Sequence, residues 1–98
     1  MTEADYVRRL LDVYRSLPHT TGRIRPADRK LASALFHDGL PLLLACTALR
    51  VAISRRRAHP ADDQPLPVIR SLHYFRPVFD EAHTYDPGYA DYLASRLP

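Results

Sequence analysis

Between Leu40 and Ile53 nearly every residue is apolar or small, with Thr47 and Arg50 the exceptions. A helix that is apolar on all sides belongs in the middle of a fold. Pro41 is a favoured first-turn residue. Arg55, Arg56 and Arg57 close the segment, where cations complement the negative end of a helix dipole. The sequence therefore predicts a central, buried helix over 41–57. A membrane span fails on length, because the run from Leu40 to Leu49 covers about ten residues and crossing a bilayer takes about 20.

The rest of the chain reads as helices gathered around that one. Over 2–17, Tyr6, Leu10, Val13/Tyr14 and Leu17 recur at helical spacing, with Thr2 as cap, Glu3 and Asp5 in the first turn, and Pro18 as the stop. Pro26 opens a second helix that runs to about His37, with a stripe of Leu31 and Ala34/Leu35 flanked by Phe36; Asp38-Gly39 ends it. Residues 58–67 form a polar, Pro-rich loop. Val68-Ile69 is extended, but so short a run cannot make a sheet. Ser71 caps a helix to His83 that Pro77 must kink or restart. Asp86-Pro87 starts a last helix over 87–97, docked by Tyr89, Tyr92/Leu93 and Leu97. The expected fold is all-α: a compact bundle of four to five helices around the central apolar one. It forms a single domain over 1–98, the size that one core supports.

Several classes of chemistry lack the residues they need. The single cysteine, Cys46, sits among Leu, Ala and Thr and reads as a small core residue rather than a reactive thiol. The five histidines (His19, His37, His59, His73, His83) are scattered, without metal-ligand spacing. Gly22, Gly39 and Gly88 are isolated, so no loop cradles a phosphate, and no nucleophile elbow is present. Asp62-Asp63 and Asp80-Glu81 read as solvated acids. The expectation is a chain that is not an enzyme and carries no cofactor or metal. The acidic N-terminus, Met1 to Asp5, lacks the pattern of a secretory signal, which points to the cytoplasm.

The bases are the informative residues. The net charge is +3, and 13 of the 14 basic residues are Arg, with Lys30 the exception. Arg presents a planar fork that matches phosphate and carboxylate, although a GC-rich genome also enriches it. The junction at Asp38-Gly39-Leu40 invites a helix-turn-helix reading. Its second helix, however, would offer a groove Pro41, Leu42, Leu43, Leu44 and Ala45, none of which hydrogen-bonds to bases. A plain helical hairpin fits better. Two basic features remain: Arg55-Arg56-Arg57 with Arg50, and Arg70-Ser71-Leu72-His73-Tyr74-Phe75-Arg76. Bases interleaved with aromatics suit a single strand of DNA or RNA, since Arg meets phosphates while rings stack on bases. The candidate interface is thus Arg50, Arg55, Arg56, Arg57, Arg70, His73, Tyr74 and Arg76. The competing assignment makes Leu72 and Phe75 core and the flanking bases a solvated rim.

Two stretches, Arg25 to Ala32 continuing through Gly39-Leu40-Pro41-Leu42, and Pro67 to Phe75 with Pro77-Val78 and Glu81, resemble small helical proteins of bacterial mobile elements and replication modules. The order of an apolar helix, a break, and a helix with Tyr-x-x-x-aliphatic is also similar to the helical domain of DnaD-type primosome proteins. In that family a Tyr-x-x-x-Ile-x-x-x-Trp helix contacts single-stranded DNA; Tyr74 and Val78 match it, and Ala82 stands in place of the Trp. The resemblance implies a nucleic-acid-binding accessory module of a replication or mobile-element system. The alternative is a protein–protein adaptor or small subunit of a larger complex, including a homodimer, with Tyr85, Tyr89 and Tyr92 as its apolar surface. Neither reading involves a membrane.

Overall fold

Thr2 opens the first helix as expected: its hydroxyl accepts the Asp5 N–H at 3.2 Å, and α1 runs over Glu3–Ser16. Tyr6, Leu10, Leu11 and Tyr14 are its buried face. The computed structural model describes residues 1–58, 66–85, 88 and 92. Helix α2, Pro26–His37, has the predicted bounds. It ends in a Schellman turn, in which Leu40 N–H donates to Leu35 C=O at 3.1 Å and Gly39 N–H to Phe36 C=O at 3.1 Å. Gly39 has φ +81°, the left-handed conformation that closure demands. The buried stripe of α2 is Asp28, Leu31, Ala32 and Leu35, whereas Ala34 faces solvent and Phe36 is half-buried.

Helix α3, Leu42–Arg57, buries Ala45, Ala48, Leu49, Ala52 and Ile53 in the core together with Thr47, whose hydroxyl donates back to Leu43 C=O at 2.8 Å. It is not enclosed on all sides. Leu43 is 57 % exposed, and Arg50, Arg55 and Arg57 are exposed along the same helix. Its neighbours are α1, α4 (Arg76–Ala82) and the turn that precedes α4, while α2 packs on α1 and on that same turn. The expected hub is therefore one of two helix pairs, α1 with α2 and α3 with α4, joined where α1 meets α3. The run looked uniformly apolar because Leu42, Leu43, Leu44 and Cys46 lie in it beside the buried Ala45, Ala48 and Ala52, yet Leu43 is exposed and the other three are half-buried.

Pro77 restarts the chain rather than kinking it. A 3-10 turn, Leu72–Phe75, capped by Ser71 accepting from His73 N–H at 3.1 Å, hands over to α4, Arg76–Ala82, with Pro77 in its first turn. Ile69 forms an isolated parallel bridge with Thr20: its N–H donates to His19 C=O at 2.7 Å and its C=O accepts from Thr21 N–H at 3.0 Å. No sheet is present among the described residues, so the fold is all-helical. Of the predicted helix 87–97 only Gly88 and Tyr92 are described, both helical; the rest of it, and residues 59–65 of the Pro-rich loop, lie outside the described residues.

The core is continuous from α1 through to Tyr85, with Phe75 at its aromatic centre. Phe75 meets Tyr14 edge-on at 6.0 Å and Phe79 at 6.5 Å. The one buried carboxylate among the described residues is Asp28, fully enclosed at 0 % exposure. Its Oδ2 accepts Arg25 N–H at 2.9 Å, and its Oδ1 accepts Ser71 Oγ–H and Leu72 N–H, each at 2.9 Å. A single side chain thus caps α2 and ties its first turn to the 3-10 turn.

Candidate nucleic-acid interface

Consecutive residues on a helix point about 100° apart, so a run of three arginines cannot form one cluster. Arg55 turns to α4 and forms a bidentate pair with Glu81, Nη1 to Oε2 at 2.9 Å and Nη2 to Oε1 at 2.7 Å. Arg56 turns to the 3-10 turn, where its guanidinium lies over the Tyr74 ring at 5.7 Å and donates to Tyr74 Oη at 3.3 Å and to Pro67 C=O. Arg57 points away from both and shares a groove with Arg50. The expected Arg55-Arg56-Arg57 surface is thus divided in three. Tyr74, 47 % exposed, already carries a cation on its ring.

The Arg55 guanidinium holds the Glu81 carboxyl below its ordinary value of 4.5. Because folding lowers this pKa, the pair's small contribution to stability is present above the ordinary value. It fades as pH falls through the lowered one. Arg55→Ala returns the Glu81 titration toward 4.5, which carbon-detected NMR of the side-chain carboxyl reads directly.

The second basic segment is brought together with residues the sequence did not single out. His73 and Arg76 edge an open groove of about 290 Å³ whose other wall is α2, with Lys30 on the rim and Ala27, Leu31 and Ala34 as the floor. The spacing 27, 30, 31, 34 marks one face of α2, and this was the available signal for Lys30. His73 Nε2 lies 3.4 Å from Ala27 C=O, so the ring spans the groove's upper end. Arg70 is exposed beside the 3-10 turn. Lys30, Arg70 and Arg76 have no carboxylate partner among the described residues, and no carboxylate lines the groove. The acids of α1, α2 and α4 are largely engaged: Asp5 with Arg8, Asp12 with Arg15, Glu3 with Ser33 and His37, Glu81 with Arg55, and Asp28 with backbone and Ser71.

Other candidate chemistry is muted. Burial raises the Cys46 thiol, with Arg50 opposing, so the thiolate is disfavoured. Burial raises Tyr6 to about 12, with Cys46 adding to it, and raises Tyr14, with Asp28 adding and Arg25 opposing. Both phenols are held neutral with no hydrogen-bond partner among the described residues. Tyr85, expected on the surface, is 8 % exposed and belongs to the core. No described group of three His, Cys, Asp or Glu could hold a metal, and no described helix is long and apolar enough to cross a membrane. Comparison with protein-family models, curated proteins and solved structures finds no match to this chain.

Proposed function

We propose that this chain is a non-enzymatic nucleic-acid-binding accessory module of a replication or mobile-element system. It meets phosphates through the groove between α2 and the 3-10 turn. The observation that carries the reading is the groove itself: Lys30, His73 and Arg76 surround an apolar floor with no carboxylate among the lining residues. Cations that lack internal partners keep their full attraction for a polyanion, whereas Arg55 is already neutralised by Glu81. The apolar floor suits a single strand, whose bases can leave the stack and cover it while the flanking bases take the phosphates.

Fluorescence anisotropy with single- and double-stranded oligonucleotides at stepped salt tests this. Binding should weaken steeply with salt, and for a single strand the log–log slope is about −0.7 per neutralised phosphate. Lys30→Ala and Arg76→Ala should each flatten that slope by about 0.7. Absence of binding to either oligonucleotide at low salt, with protein at about 50 µM, ends the reading.

A second reading, a protein–protein adaptor, draws on Leu66 at 40 %, Val68 at 44 % and Tyr74 at 47 % exposure in one short segment. Leu66 and Tyr74 edge a groove with Ala52 and Val78 in which Arg55 and Arg56 also lie, and an exposed apolar cluster rimmed by polar groups marks a partner surface. A homodimer by light scattering that Leu66→Asp dissolves would favour it.

A further inference from the structure

A third groove lies where α3 faces the end of α1. Leu17 and Pro18, at the end of α1, form one wall, and Arg50, Ile53, Ser54 and Arg57 form the other; its volume is about 130 Å³, and it is more enclosed than the groove on α2. Arg50 and Arg57 are seven residues apart, about two turns or about 10 Å along the helix, with Ser54 between them on the same face. Neither arginine has a carboxylate partner among the described residues. Ser54 stands out in the same way. A hydroxyl on a helix ordinarily bonds back to a carbonyl of the preceding turn, as Ser16 and Thr47 do here. Among the described residues every other Ser and Thr hydroxyl is hydrogen-bonded, and that of Ser54 is not. The backbone that sets the Pro18 wall is itself held in an unusual state. His19 has φ +68°, in the left-handed region that non-glycine residues avoid, and its carbonyl is fixed by Ile69 N–H.

We propose that this groove binds the phosphate of a phosphomonoester, such as the 5′-terminal phosphate of a nucleic-acid strand. Arg50 and Arg57 take its oxygens through their planar forks, and Ser54 donates to a third. A monoester suits the site better than an internal diester. It carries nearly two charges and offers three free oxygens to the donors, and its single ester link fits a groove closed on the far side by Leu17 and Pro18. The site stands on its own residues; only the identity of the molecule bearing the phosphate rests on the nucleic-acid reading.

Two measurements on the whole chain test it. Anisotropy compares 3′-labelled single-stranded dodecamers that carry a 5′-phosphate or a 5′-hydroxyl. Amide NMR follows a titration with inorganic phosphate against chloride at equal ionic strength. The phosphorylated strand should bind about tenfold tighter, the equivalent of about 1.4 kcal/mol. Ser54→Ala or Arg57→Ala should bring the ratio close to one, while Lys30→Ala weakens both strands and leaves the ratio intact. Inorganic phosphate should shift the amides of Arg50, Ser54 and Arg57. Equal affinity for the two strands with no such shifts, or a preference that survives both variants, overturns the site. If neither strand binds but phosphate still shifts those three amides, the site stands with a small phosphomonoester as its ligand, and the nucleic-acid reading falls.

Discussion

Asp28→Ala should lower the melting temperature by about 12–40 °C, from a loss of about 3–5 kcal/mol at about 4–8 °C per kcal/mol for a domain of this size. The magnitude follows from what the carboxylate holds. Three donors converge on it: the Arg25 N–H, the Ser71 hydroxyl and the Leu72 N–H. An acceptor-only group is the natural partner for three donors. With alanine the Leu72 amide is left buried without a partner, α2 loses its first-turn acid, and the 3-10 turn loses its tie to α2. Asp28→Asn keeps one acceptor but turns an NH₂ toward donors, so it should lose about 2 kcal/mol. The function should suffer with the fold, because Asp28 fixes the distance between Lys30 on α2 and His73 and Arg76 beyond the turn. Thermal melts by circular dichroism and exchange of the Leu72 amide read both effects. A melting shift under about 5 °C for the alanine variant would show that the two elements are joined by apolar packing and not by this clip.

The same residue shows how far local pattern reaches. The bounds of α2 were readable because their causes are local: Pro26 at the start, and Gly39 in a left-handed turn at the end. Thr2 as cap and a break at Pro77, as a kink or a restart, were readable for the same reason. Asp28 as a clip was not, since Ser71 and Leu72 lie 43 and 44 residues away and nothing near Asp28 announces them. The candidate interface divides along the same line. Arg55, Arg56 and Arg57 look like one basic surface in sequence, but the partners that separate them, Glu81 and Tyr74, are 26 and 18 residues off. Helical spacing identifies which bases can share a face, as for Arg50 with Arg57. It does not reveal which of them an acid or a ring from another element has already taken.

Leu49→Asp should leave the chain unfolded at 25 °C, while Leu43→Asp on the same helix should leave stability within about 0.5 kcal/mol. Leu49 is 0 % exposed in the continuous core, and Leu43 is 57 % exposed. Deleting a buried leucine side chain costs about 2–5 kcal/mol, and enclosing a carboxylate without a partner adds several more, against a total of about 5–15 kcal/mol for a domain. Position 43 differs in a second way: it lies in the first turn of α3, where the dipole favours an acid and no acid is present. Leu44, half-buried, should fall between the two. Urea unfolding of the three variants therefore measures how far α3 is enclosed, with helix and substitution held constant. If Leu43→Asp destabilises as severely as Leu49→Asp, the exposed side of α3 is covered in solution. Arg50, about two turns along the same helix face from Leu43, could then no longer be counted among the cations open to a phosphate.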